Sequence, residues 1–123
     1  MTKVFIDGKE GTTGLRIYDR LSQRADLTML TLPERERKNP ALRRELLNEC
    51  DVAILCLPED AALEACDMVT EPHVRIIDPS TAHRISEGWV YGLPEAWDGG
   101  WEQLEGATRV SVPGCHASGF LAL

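Results

Sequence analysis

A cysteine, Cys115, follows Pro113-Gly114 where an apolar strand pattern gives way to a helical one. A thiol in the first turn of a helix faces the positive end of the helix dipole, which favours the thiolate, the form that attacks acyl carbons. Backbone N–H groups of the same turn can stabilise the resulting oxyanion. Ala117, Ser118 and Gly119 keep the next turn small and leave room for a substrate. The segment predicts a nucleophilic cysteine, and the alternative is a buried structural thiol.

Three glycines, Gly8, Gly11 and Gly14, are spaced as G-x-x-G-x-x-G between the first apolar run and a helical pattern. At this position a helix N-terminus offers free N–H groups and a favourable dipole to an anion, and the missing Cβ atoms let a pyrophosphate approach. Thr12 and Thr13 add hydroxyl donors. The Gly-Lys-Ser/Thr of a P-loop does not occur, which disfavours ATP or GTP. The loop predicts a dinucleotide site, and a plain tight turn is the alternative.

A run of charged residues, 34–38, follows the second strand pattern. In dinucleotide-binding domains an acid about 20 residues after the glycine loop holds the ribose of NAD, whereas a base accommodates the 2′-phosphate of NADP. The chain offers both, because Glu34 is followed by the bases Arg35, Arg37 and Lys38. Arg35 and Lys38 are candidates to bind a 2′-phosphate while Glu34 faces solvent. The alternative is a solvated charge run.

Strand patterns alternate with helical patterns along the chain, which is typical of βαβ units. The predicted strands are 4–6, 27–32, 52–57, 74–77 and 108–112. The run 52–57 has no polar alternation, as expected for a central strand covered on both faces. We expect an α/β fold, a Rossmann-like doubly wound parallel sheet spanning 1–112. The first helix of a catalytic domain is expected at 113–123.

Two further predictions concern the buried face of one helix and a stretch without periodicity. In the helix after residue 58, Ala62, Leu63, Cys66 and Val69 are predicted to line one buried face. Residues 86–106 contain Gly, Pro and three tryptophans without periodicity. We predict a long loop there, with one short turn of helix.

Composition narrows the function further. A chain of 123 residues with net charge −7 supports one ordinary core and repels a phosphate backbone, so nucleic acid is not an expected partner. No apolar run approaches the roughly 20 residues of a membrane span, and Asp7 interrupts any signal-like stretch. A cytoplasmic location is therefore expected. The cysteine spacing fits neither a zinc site nor a redox Cys-x-x-Cys, so no metal is expected, and Cys50, Cys56 and Cys66 are predicted to be free, buried thiols.

The chain resembles a known family, the short form of N-acetyl-γ-glutamyl-phosphate reductase, an NADP-dependent enzyme of arginine biosynthesis. The family is related to aspartate-semialdehyde dehydrogenase, whose cysteine sits in a different local sequence. The stretches that carry the resemblance are Gly8-Lys9-Glu10-Gly11-Thr12-Thr13-Gly14, Leu57-Pro58-Glu59, Ile77-Asp78-Pro79-Ser80-Thr81-Ala82-His83-Arg84 with Tyr91-Gly92-Leu93-Pro94-Glu95, and Pro113-Gly114-Cys115-His116. They span nearly the whole chain.

The resemblance implies that Cys115 displaces phosphate from an acyl phosphate and forms a thioester, which NADPH reduces to the semialdehyde. It also implies that Leu57, Pro58 and Ser80 lie near the cofactor and that Arg84 faces the substrate. Ser118, in the small turn after the cysteine, is the second candidate substrate contact.

Members of the family are much longer, and their general acid/base histidine and most substrate contacts lie beyond the cysteine. His116 does not replace that base, because adjacent helical side chains point about 100° apart. We therefore expect a fragment of a homo-oligomeric enzyme with little turnover by itself. Two alternatives remain open: a cofactor-binding sensor or regulatory module with a structural cysteine, and an interaction domain whose glycine loop binds nothing.

Overall fold

A computed structural model of the chain describes residues 2–8, 12–36, 39–79, 89–92 and 100–111, with all side chains in these ranges except those of Thr12, Thr13, Glu34, Tyr91 and Trp101. The strands in this part are β1 Thr2–Asp7, β2 Leu27–Leu30, β3 Val52–Leu55, β4 Arg75–Asp78, β5 Val90–Tyr91 and β6 Arg109–Ser111. The α-helices are α1 Thr12–Leu21, α2 Pro40–Glu49, α3 Glu59–Met68 and α4 Gly100–Gly106. One turn of 3₁₀ helix, Glu34–Glu36, follows β2.

The described strands form one sheet in the order β2-β1-β3-β4-β6-β5, and every pairing between neighbours is parallel. The most continuous apolar strand, β3, lies inside the sheet between β1 and β4. Parallel neighbours require crossover connections, and helices supply them between β1 and β2, β2 and β3, and β3 and β4. The predicted doubly wound parallel fold is confirmed.

Each face of the sheet has its own apolar cluster. On one face Leu47 of α2 and Ala65 of α3 pack with Phe5, Ala53 and other buried residues of the strands. On the other face Val4, Ile6 and Ile54 are buried against Ile17, Tyr18 and Leu21 of α1. Because successive strand residues point to opposite faces, β1 and β3 contribute to both clusters. These two strands are therefore held from both sides, and their ends are firmly placed.

The helix starts follow from local sequence. The Asn39 side chain caps α2 by accepting a hydrogen bond from the Ala41 N–H at 3.0 Å, and Pro40 suits the first turn because it lacks an N–H. Glu59 and Asp60 open α3, where acidic side chains stabilise the positive end of the dipole. None of the helices in the described part of the chain has the length and apolar character needed to span a bilayer.

The structure corrects two details of the sequence prediction. Leu63, predicted on the buried face of α3, is 42% exposed; Ala62, Ala65 and Met68 are the buried residues of this helix. The region 86–106, predicted as a loop with one short turn of helix, contains a seven-residue helix, α4, and also the two-residue strand β5. β5 escaped detection because so short a strand has no periodicity and is defined by its pairing with β6. The predicted boundary at 112–113 lies outside the described residues.

Candidate functional site

The carboxyl ends of β1 and β3 form the point where the chain changes direction across the sheet. From β1 the chain moves to β2 on one side and then returns to β3 on the other side. In open α/β sheets the crevice at such a switch point is the usual place for a ligand. Here it is bordered by Asp7 at the end of β1 and Leu55 at the end of β3, which are register partners.

Gly8 makes the turn that follows β1, and its backbone has a φ of +85°, which L side chains rarely adopt. A Cβ at this position would collide with the carbonyl oxygen of Cys56 and lie 3.1 Å from Cδ2 of Leu57. The two strand exits are also joined by a hydrogen bond of 2.8 Å from the Cys56 N–H to the Asp7 carbonyl. The structure thus brings Gly8 and Leu57, two predicted site residues, into contact range, and Pro58 follows directly.

The first helix begins at the same edge of the sheet. α1 starts at Thr12, so Thr12, Thr13 and Gly14 lie in its first turn, and Gly14 is buried. A buried glycine here permits close helix–sheet packing, and the free N–H groups of this turn are the feature that suits an anion. Gly11 lies outside the described residues.

Arg35 lies in the 3₁₀ turn after β2, and its side chain is exposed. This turn follows the strand next to β1, on the side opposite β3. Its position matches the place where a dinucleotide ribose is read in doubly wound domains. Lys38, the second predicted phosphate-binding base, lies outside the described residues.

An ion pair that the sequence analysis missed lies beside the glycine turn. Nη2 of Arg43 in α2 donates to Oδ2 of Asp7 at 2.7 Å, and the side chains are 16% and 7% exposed, respectively. An acid at the end of an otherwise buried strand was the available signal, because buried carboxylates require a partner.

Two further polar residues are fully buried at the carboxyl edge of the sheet, Asp78 at the end of β4 and Ser111 at the end of β6. They are register partners in parallel strands, so their side chains point to the same face. The Ser111 hydroxyl has no hydrogen-bond partner in the described part of the chain. Buried polar side chains therefore occur at the carboxyl ends of β1, β4 and β6, and β6 leads into residues 112–123.

The three cysteines within the described ranges are free thiols, as predicted. Cys50 is buried, whereas Cys56 and Cys66 are only partly buried, which corrects part of the prediction. Burial raises the pKa of Cys50 and of Cys66 to about 11. Burial also raises the pKa of Cys56, and the carboxylates of Asp7 and Asp78 add to that effect. These three thiols are therefore protonated near neutral pH, including Cys56 at the glycine turn.

The remaining predicted site residues, Ser80, Arg84, Cys115 and Ser118, lie outside the described residues. What the structure does bring together at one edge is the Gly8 turn, the start of α1 and the Leu57-Pro58 strand exit. The tight turn at Gly8 and the buried Gly14 match the first and third glycines of a dinucleotide-binding loop, which make the turn and allow close helix–strand packing. The described residues therefore fit a dinucleotide.

Comparison with known proteins supports this fit. A family profile described as "Semialdehyde dehydrogenase, NAD binding domain" matches residues 3–99, which include β2 to β5 and all of β1 except its first residue. The chain belongs to this family. Its members carry a nicotinamide-cofactor domain of the kind predicted from the glycine loop.

Two relatives confirm the resemblance noted in the sequence. An N-acetyl-γ-glutamyl-phosphate reductase 2 of Pseudomonas putida is 56% identical over 120 residues, and an N-acetyl-γ-glutamyl-phosphate reductase of Burkholderia cenocepacia is 52% identical over 120 residues. Each match covers 98% of this chain and 38% of the relative. The chain thus spans little more than a third of the length of these family members.

A solved structure supports the fold. The aspartate semialdehyde dehydrogenase of Candida albicans, determined with NADP, superposes with a TM-score of 0.65 at 15% sequence identity. The match covers 99% of this chain and 45% of that chain. At this identity the likeness concerns the family fold alone.

Proposed function

We propose that this chain is the nucleotide-binding part of an N-acetyl-γ-glutamyl-phosphate reductase that works with NADPH and a cysteine nucleophile, Cys115. The observation that carries the proposal is the 56% identity to a protein of that name over 98% of the chain. The Gly8 turn at the switch point supports it independently, because its positive φ and its contact with Cys56 fit the first glycine of a dinucleotide-binding loop, which makes the tight turn.

In the proposed reaction the Cys115 thiolate attacks the acyl carbon of N-acetyl-γ-glutamyl phosphate. A carbon–sulfur bond forms, the bond from that carbon to the phosphate oxygen breaks, and phosphate leaves. NADPH, when bound, would supply a hydride to the thioester carbon. The carbon–sulfur bond then breaks, the thiolate returns, and the semialdehyde is released. The N–H groups of the helical turn predicted to begin at Cys115 are proposed to stabilise the oxyanion in both steps.

The preference for NADPH is proposed from the bases after β2. Arg35 is exposed in the 3₁₀ turn at the place where a ribose is read, and Lys38 follows three residues later. A guanidinium and an ammonium both bind a phosphate through charge-assisted hydrogen bonds. Ser80 is proposed to line the cofactor site, and Arg84 and Ser118 are proposed to contact the substrate.

A chimera tests the function as a whole. This chain would replace the matching 120 residues of the Pseudomonas putida relative, which supplies the rest of the enzyme. We expect the chimera to reduce NADP when given N-acetylglutamate semialdehyde and phosphate, measured as absorbance at the NADPH band. Cys115→Ser should abolish this turnover while leaving NADPH affinity unchanged.

The parent relative, assayed in parallel, is the control for the assay. A folded chimera that binds NADPH but has no turnover, beside an active parent, would favour a cofactor-sensing module. Equal activity of the Cys115→Ser chimera would remove the cysteine from the mechanism.

A further inference from the structure

The ion pair between Arg43 and Asp7 lies at the end of β1, directly before the glycine turn of the proposed cofactor site. Asp7 is the last residue of β1 and is only 5% exposed, and the residue after it is Gly8, whose turn is proposed to hold the pyrophosphate. The pair joins the end of β1 to α2 across 36 residues of sequence. Its partners therefore meet only when the sheet and α2 are assembled.

The charge of Asp7 opposes the proposed ligand. A carboxylate one residue before the glycine turn repels a pyrophosphate, and burial weakens the screening by water that would otherwise reduce this repulsion. The Arg43 guanidinium bonds directly to this carboxylate at 2.7 Å and compensates its charge. The buried Nε–H of Arg43 has no partner within the described residues, so the guanidinium keeps a donor after pairing with Asp7.

Arg43 is itself held in place by the first turn of α2. Its backbone N–H donates to the carbonyl of Asn39 at 3.0 Å, and the Asn39 side chain both caps the helix and donates to Oε2 of Glu36 at 2.9 Å. The guanidinium therefore projects from an anchored helix start onto the end of β1. This arrangement fixes the position of Asp7 and of the turn that follows it.

We propose that Arg43 is a positioning residue for the cofactor: acting through Asp7, it neutralises the carboxylate beside the glycine turn and holds that turn ready for a pyrophosphate. This role rests on the proposed function. It predicts that the pair matters for ligands that contain a pyrophosphate and not for those that lack one.

Calorimetric titration of the 123-residue chain tests the proposal with two probes, ADP-ribose, which has a pyrophosphate, and adenosine 2′-monophosphate, which has none. Arg43→Gln should weaken ADP-ribose about tenfold, because it leaves a buried carboxylate uncompensated. It should change the affinity for adenosine 2′-monophosphate by less than about twofold on the same argument. Arg44→Gln, at the exposed neighbouring position on α2, is the matched control and should bind both probes as the wild type does.

Removing both charges separates this role from simple support of the fold. Asp7→Asn combined with Arg43→Gln should return ADP-ribose affinity to within about threefold of the wild type, since the repulsion is gone. If the pair only supported the fold, both variants would be less stable towards urea, and each would bind the two probes with affinities changed by the same factor. Unchanged ADP-ribose affinity in folded Arg43→Gln overturns the proposal.

If Arg43→Gln does not fold, as judged by circular dichroism, Arg43→Lys and the double variant carry the test. Both should bind ADP-ribose within about threefold of the wild type, because neither leaves Asp7 as an isolated charge. A larger loss in both overturns the proposal. If the wild-type chain binds neither probe, the proposed cofactor site itself is wrong. If the wild type binds ADP-ribose and the Arg43 variants bind it equally well, only the role of Arg43 is wrong.

Discussion

Gly8 lies so close to the carbonyl group of Cys56 that a Cβ on Gly8 would be 2.9 Å from the carbonyl carbon and in collision with the oxygen. The glycine at the end of β1 thus depends on the residue that leaves β3, 48 positions later in the sequence. This contact packs the glycine turn against the residue that follows β3. Even a methyl group at position 8 would therefore disturb the turn.

Gly8→Ala should lower the free energy of unfolding by about 2–4 kcal/mol, because the methyl group both collides with backbone and disfavours the positive φ. The urea unfolding midpoint measures this loss, and a titration with NADPH should show no binding. Gly106→Ala is the matched control, since a Cβ there meets nothing within 4 Å. It should leave stability unchanged or raise it by up to about 1 kcal/mol. Equal effects at the two glycines would contradict the role of the Gly8 turn.

Arg35→Ala should weaken NADPH about tenfold and leave NADH unchanged, because only NADPH carries the 2′-phosphate that a guanidinium would bind. Titrations of tryptophan fluorescence with the two cofactors provide the comparison. Arg16, an exposed arginine of α1, offers a control position where alanine should affect neither cofactor. A similar loss for NADH and NADPH would remove Arg35 from the 2′-phosphate site.

Iodoacetamide should modify Cys115 well before the other cysteines near pH 7.5. The pKa of about 11 for Cys50 and for Cys66 leaves very little thiolate there at that pH, and the thiolate fraction falls about tenfold for each pH unit below the pKa. Mass spectrometry of digested samples identifies the labelled residue, and Cys115→Ser is the control that should remove the fast phase. Labelling of all four thiols at one rate in the folded chain would argue for a structural cysteine.

The same raised pKa values predict how stability depends on alkaline pH. Thiols of the unfolded chain titrate near pH 8.5, whereas Cys50 and Cys66 stay protonated in the folded chain up to about pH 11. The unfolded state therefore loses protons first, and stability falls as pH rises between these values. Urea midpoints measured from pH 8 to pH 10.5 should decline less in Cys50→Ala than in the parent chain. An identical decline in both would contradict the shift at Cys50.

Asn48→Ala should lower the free energy of unfolding by about 1–3 kcal/mol, because several hydrogen bonds from α2 to the end of α3 and the segment after it lose one partner. Asn48 in α2 accepts from the N–H groups of Thr70 and Glu71 and donates to the carbonyl of Met68 at the end of α3. Urea unfolding measures the loss. NADPH affinity should not change, since Asn48 lies near the C-terminus of α2, away from the glycine turn; weaker binding would contradict this separation.

Much of the fold could be predicted because its signals are local. The glycine loop between β1 and α1, the unbroken apolar run of β3 and the Pro40 helix start each depend on neighbouring residues. Leu63 was misplaced for the opposite reason. Which helical residues are buried depends on the angle at which α3 lies on the sheet, and an approximate apolar stripe does not specify that angle.

The sequence by itself determined the alternation of strands and helices, the glycine turn and the family resemblance, because spacing along the chain carries all three. Only the tertiary structure decided that Arg43 meets Asp7, that Gly8 abuts Cys56 and that β5 pairs at the edge beside β6. These contacts join residues far apart in the chain. They depend on strand order and register, which arise when the whole sheet assembles and which no short stretch of sequence encodes.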